Sequence, residues 1–140
     1  MEKIESKNIN DTKGIAQDIL TKVKPGQLIA LVGNLGAGKT VFVKALAESL
    51  GVEDNVTSPT FVLMKVYNTK HESIKKLVHV DCYRLEGKED LADIGLSEYI
   101  EDENNLVVIE WADKIKNLPD NIIRINIKST GEESRLFEID

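Results

Sequence analysis

The residues Gly33-Asn34-Leu35-Gly36-Ala37-Gly38-Lys39-Thr40 match the pattern G-x-x-x-x-G-K-[ST] at every fixed position. Each fixed position has a chemical reason. The glycines let the backbone turn so that its N–H groups converge on phosphate oxygens. A helix that starts at the end of the loop aims its positive dipole end at the same anion. Lys39 reaches the β- and γ-phosphates as a point charge, and the Thr40 hydroxyl ligates Mg²⁺. Random composition would produce this match in about half a percent of chains of this length. The pattern therefore predicts a loop that holds ATP or ADP together with Mg²⁺.

Two carboxylates stand where such a loop needs them. Glu110 directly follows the apolar run Leu106-Val107-Val108-Ile109, and Asp81 closes Leu77-Val78-His79-Val80. Ligands of open α/β sheets lie beyond the carboxyl ends of the strands. A carboxylate there holds Mg²⁺ or its waters, or orients an attacking water. Spacing alone does not divide these roles between the two. Thr57-Ser58-Pro59-Thr60-Phe61 occupies the slot of a phosphate-sensing switch, although by pattern alone a plain turn is the better reading. His79, Cys82 and His71 do not make a zinc site. His79 and Cys82 lie three apart on a strand and face opposite sides, and there is no second ligand pair. A structural or hydrogen-bonding His79 is the expectation.

The elements that must position these groups follow from apolar periodicity. Leu28 to Val32 reads as a strand buried on both faces. Lys39 to Leu50 reads as a helix ending at Gly51. Before them, Asp11 or Thr12 can cap a first helix with Ile15, Ile19, Leu20 and Val23 as its stripe, ended by Lys24-Pro25-Gly26. Phe61 to Tyr67, Lys76 to Tyr83 and Leu106 to Glu110 read as strands. Lys88 to Asp102 reads as mostly helical, broken near Gly95. Ile122 to Ile127 and Arg135 to Ile139 alternate apolar and polar residues, as late antiparallel or edge strands do. The sum is an α/β fold with a mostly parallel sheet.

The 140 residues suit a single domain spanning 1–140. No apolar stretch approaches membrane length, and the charged N-terminus does not read as a signal peptide. A single cysteine, Cys82, fits a reducing, cytoplasmic setting. The net charge of −6 argues against direct, tight nucleic-acid binding. The arginines are Arg84, Arg124 and Arg135, and only Arg84 adjoins a motif.

The loop, Ser58-Pro59-Thr60-Phe61, His79-Val80-Asp81-Cys82-Tyr83-Arg84-Leu85 and Glu110-Trp111 together resemble the TsaE family across nearly the whole chain. Asn34, Val41 and Ala112 stand where that family commonly has Asp, Thr and Pro. The resemblance implies a three-layer α/β sandwich of the P-loop class. It implies an ATPase of bacterial tRNA N6-threonylcarbamoyladenosine synthesis that works with TsaD and TsaB proteins, while TsaC supplies threonylcarbamoyl-adenylate. Hydrolysis of ATP to ADP resets the complex between turnovers, and tRNA is met only through that complex. In the same reading Thr40 and Glu110 ligate Mg²⁺ and Asp81 acts near the attacking water or the Mg²⁺ waters. Thr60 belongs to a switch, Thr12 nears the base, Trp111 sits beside the site, and residues Gly33 through Val41 touch the nucleotide. The alternatives are a small P-loop kinase, a stand-alone ATPase, a GTPase and a module that holds ATP without turnover. Few arginines and no lid insert argue against the kinase. The absence of N-K-x-D and T-K-x-D argues against the GTPase.

Overall fold

The computed structural model describes residues 1–24, 26–33, 38–57 and 64–140. Asn34, Leu35, Gly36 and Ala37 of the loop, Ser58, Pro59, Thr60 and Phe61 of the switch reading, and Pro25 lie outside the described residues. The elements are β1 (Glu2–Ser6), α1 (Ile9–Lys22), β2 (Leu28–Val32), α2 (Lys39–Ser49), β3 (Met64–Asn68), β4 (Lys76–Asp81), α3 (Ser97–Glu101), β5 (Asn105–Glu110), β6 (Ile122–Ser129) and β7 (Arg135–Ile139). A single 3-10 turn, Ala112–Lys114, follows β5. Among the described residues, no helix is long and apolar enough to cross a membrane.

One sheet of order β1-β7-β6-β2-β5-β4-β3 organises the fold. Its centre, β6-β2-β5-β4, is parallel. Its margins are antiparallel: β3 runs against β4, and β7 runs against both β6 and β1. The margins follow from connection length. β3 and β4 are joined without a helix, and β6 and β7 likewise, so each pair closes as a hairpin. The central strands carry apolar side chains toward both faces. In β2, Ile29 and Leu31 join the core under α1 and α2, while Leu28 and Ala30 join Val78, Val107, Leu96 and Ala112 on the other face. The result is three layers.

Local sequence explains where elements start and stop. Asn8 caps α1, with its Oδ1 accepting from the Asp11 amide at 2.9 Å. The expected cap at Asp11 or Thr12 is therefore three or four residues late. Ile9 is exposed, so no buried apolar residue marks the first turn. The expected helix over 88–102 is confined to α3. Asp90 and Asp93 each accept the other's backbone N–H at 3.0 Å, and Glu89 accepts from the Glu86 amide. Such local side-chain bonds compete with helical ones, so 91–95 forms turns. β1 was not expected at all. Only Ile4 is apolar in it, and it forms one edge of the sheet. Nor are β6 and β7 edges, since β1 and β3 take those places.

Candidate nucleotide-binding site

Register places the reactive groups at one end of the sheet. Leu31 of β2 pairs with Glu110 of β5, and Asp81 of β4 pairs with the same Glu110. The loop leaves β2 one residue beyond Val32, so it starts beside both carboxylates. All six residues of β5 are buried, and Glu110 is only 2% exposed. Burying the four apolar side chains before it contributes about 1.5–3 kcal/mol each. That sum offsets the several kcal/mol of holding one carboxylate away from water.

Glu110 Oε2 lies 2.5 Å from His79 Nε2. A carboxylate can only accept, so Nε2 carries the proton and donates. His79 is fully buried, and its Nδ1 has no partner among the described residues. The imidazole thus fixes one carboxylate oxygen of Glu110. This realises the hydrogen-bonding reading of His79, and the partner was not legible because it lies on another strand. Asp81 Oδ1 accepts the Tyr83 amide at 2.9 Å, which holds the chain as it leaves β4.

Lys39 opens α2 and is 5% exposed. Its Nζ donates to the Gly33 carbonyl and lies 4.3 Å from the centre of the Trp111 ring. Burial pushes its ammonium below the ordinary lysine range, and the negative charges of Glu110, Asp81 and Asp113 oppose that shift. Trp111 holds a left-handed backbone, φ 57° and ψ 42°. Its ring is 5.1 Å from that of Tyr83, and Lys114 Nζ donates to the Tyr83 carbonyl at 2.7 Å. Trp111 therefore sits beside Lys39.

Thr40 stands in the first turn of α2, next to Lys39. Among the described residues, no side chain caps that helix and no acid lies in its first turn. Such an N-terminus suits an anion. Thr12 is buried on α1, with its Oγ1 2.7 Å from Ser6 Oγ. It shares a cavity of about 160 Å³ with Gly38, Val41, Arg135 and Phe137. A larger cavity of about 420 Å³, lined by Leu20, His71 and Leu106, lies at the amino ends of β4 and β5, away from Lys39. Cys82 is buried, and burial pushes its thiol up to about 12, so it supplies no thiolate.

The family model described as threonylcarbamoyl adenosine biosynthesis protein TsaE matches residues 6–137. The chain belongs to the TsaE family. Among named TsaE proteins, that of Bacillus subtilis is 40% identical over 91% of this chain and 78% of its own length. The TsaE of Treponema pallidum is 35% identical over 93% of both chains. The crystal structure of Bacillus subtilis YdiB superposes with a TM-score of 0.78 at 35% identity, covering 97% of this chain and 82% of that one. That likeness agrees with the three-layer α/β fold. Within this TsaE fold one arginine contradicts the reading of the sequence. Arg135, not only Arg84, adjoins a motif: a Cβ built on Gly38 would meet Arg135 Nε at 2.9 Å. No periodicity or motif marks that contact, because it joins the last strand to the loop.

Proposed function

We propose that this chain binds Mg-ATP at the loop from Gly33 to Thr40 and hydrolyses it to ADP within tRNA threonylcarbamoyladenosine biosynthesis. Membership of the TsaE family supports the place in that pathway. The observation that carries the nucleotide reading is the convergence of Lys39, Asp81 and Glu110 at the carboxyl ends of β2, β4 and β5.

The residues fit a hard cation. Mg²⁺ takes one or two protein oxygens and completes its shell with water and substrate phosphates. Thr40 and Glu110 supply that kind of donor, and the bond from His79 leaves Glu110 Oε1 for a metal. When bound, Mg²⁺ neutralises charge on the phosphate chain. Lys39 moves from the Gly33 carbonyl to the β- and γ-phosphates. Asp81 orients the water that attacks the γ-phosphorus and takes up its proton. Gly33 through Val41 contact the phosphates, Asn34, Leu35, Gly36 and Ala37 included, and Thr60 senses the γ-phosphate. Thr12 and Val41 line the base side. Hydrolysis resets a complex with TsaD and TsaB, through which alone the chain meets tRNA.

The test is calorimetric titration of Mg-ATP into the wild-type chain and into Lys39→Ala. Removing a charged hydrogen bond, worth about 1.5–3 kcal/mol, should weaken binding by roughly ten- to a hundredfold. Equal affinity in a folded Lys39→Ala variant would refute the site.

A further inference from the structure

His79 pairs with Val108 on β5, while Asp81, two residues further along β4, pairs with Glu110. The place of His79 on the sheet is therefore about 7 Å deeper than that of the carboxylate it touches. The imidazole is fully buried, and its Nδ1 has no partner among the described residues. A proton on Nδ1 would be a buried donor with no acceptor, so the ring's proton belongs on Nε2, 2.5 Å from Glu110 Oε2. This bond draws Oε2 back toward the core. Glu110 is itself only 2% exposed, so water competes weakly for that oxygen. Glu110 thus keeps one oxygen, Oε1, for anything bound at the strand ends.

We propose that His79 is a positioning residue that sets the ion specificity of the site, by holding Glu110 as a one-oxygen ligand that suits Mg²⁺ and disfavours Ca²⁺. The inference rests on the proposal that Thr40 and Glu110 hold a divalent cation beside the phosphates. Mg²⁺ is small, demands near-octahedral geometry and keeps several waters beside one or two carboxylates. Ca²⁺ takes more oxygens at longer distance and commonly draws both oxygens of one carboxylate. Two-oxygen ligation by Glu110 would pull Oε2 from Nε2. That would leave a second buried nitrogen without a partner on a ring that already has one. Asp81 offers no unengaged pair of oxygens either, because its Oδ1 accepts the Tyr83 amide. The bond from His79 thus withholds the ligand that Ca²⁺ needs and costs Mg²⁺ nothing.

The test compares calorimetric affinities for metal-free ADP, Mg-ADP and Ca-ADP, which undergo no turnover, in the wild-type chain, His79→Gln and His79→Asn. The amide nitrogen of Gln can stand where Nε2 stands. That of Asn reaches only as far as Nδ1 and leaves Oε2 without its donor. Loss of an outer-shell partner of a metal ligand costs about 10–100-fold in metal affinity. The wild-type chain should bind Mg-ADP more tightly than Ca-ADP. His79→Asn should lose roughly tenfold for Mg-ADP, change little for Ca-ADP and keep its affinity for metal-free ADP. His79→Gln should keep the preference for Mg²⁺. Where His79→Asn does not fold, His79→Leu makes the same comparison, because it removes the donor and buries no amide. An equal loss for Mg-ADP and Ca-ADP would overturn the inference, and so would a preference kept in His79→Asn or lost in His79→Gln. A loss for metal-free ADP, or a wild-type chain that binds Ca-ADP as tightly as Mg-ADP, would overturn it too. A wild-type ADP affinity that neither ion changes would instead refute the metal site itself.

Discussion

Trp111 combines a cost with a contact. Its left-handed backbone is unusual for a bulky residue, with a cost of about 1–3 kcal/mol, and such strain persists where the surroundings impose it. Here the strain sets the indole under the Lys39 ammonium immediately after Glu110. Trp111 is the only tryptophan, so its emission reports on Lys39 directly. Saturating Mg-ATP or Mg-ADP draws the ammonium toward phosphate and should change that emission; a spectrum that does not move would place the nucleotide elsewhere. The two carboxylates should separate by phenotype. Glu110→Gln keeps shape but offers a poor ligand to a hard cation. Since even outer-shell partners of a metal cost 10–100-fold, magnesium dependence of ATP binding should weaken by at least about tenfold. Asp81→Asn keeps an acceptor for the Tyr83 amide, so ATP binding should stay near wild type while hydrolysis falls by about 10² or more. Reversed phenotypes, read by titration and phosphate release, would exchange the two roles.

At the scale of elements, legibility tracked how much of the signal was local. β2, α2 and β5 were read to within a residue, because each is a run of apolar positions with a glycine or carboxylate at its end. Asp81 and Glu110 were legible for the same reason, as acids closing apolar strands. Elements that depend on distant partners were not. β1 has one apolar residue and exists because β7 pairs with it from the far end of the chain. The bond from His79 to Glu110 spans 31 positions, and the approach of Arg135 to Gly38 is longer still. The helix read over 88–102 failed because Asp90 and Asp93 satisfy each other's amides. The β6–β7 hairpin therefore lies against the end of the loop at Gly38. Phe137 is fully buried, and its ring lies 5.5 Å from that of Phe42 on α2, which ties the hairpin to the helix behind the loop. Phe137→Ala should cost about 3–5 kcal/mol in urea unfolding, the range for truncating a buried aromatic. A loss below about 1 kcal/mol would mean that the hairpin and α2 are not packed as one unit.

For the whole molecule, charge agrees with the proposed work in an assembly. A net charge of −6 offers little to a phosphate backbone, which agrees with the proposal that the chain meets tRNA only through partners. Phosphoryl transfer depends on positive charge at the transferring group. In the proposed site Lys39 supplies one such charge. P-loop proteins that lack an arginine at the γ-phosphate gain about 10³-fold or more in rate when a partner completes the site. The decisive measurement is phosphate release from Mg-ATP by the purified chain, alone and with the TsaD and TsaB proteins of the same source. Slow hydrolysis alone that rises by orders of magnitude with the pair is the expected result. Rapid turnover that the pair leaves unchanged would contradict the account and favour a stand-alone ATPase.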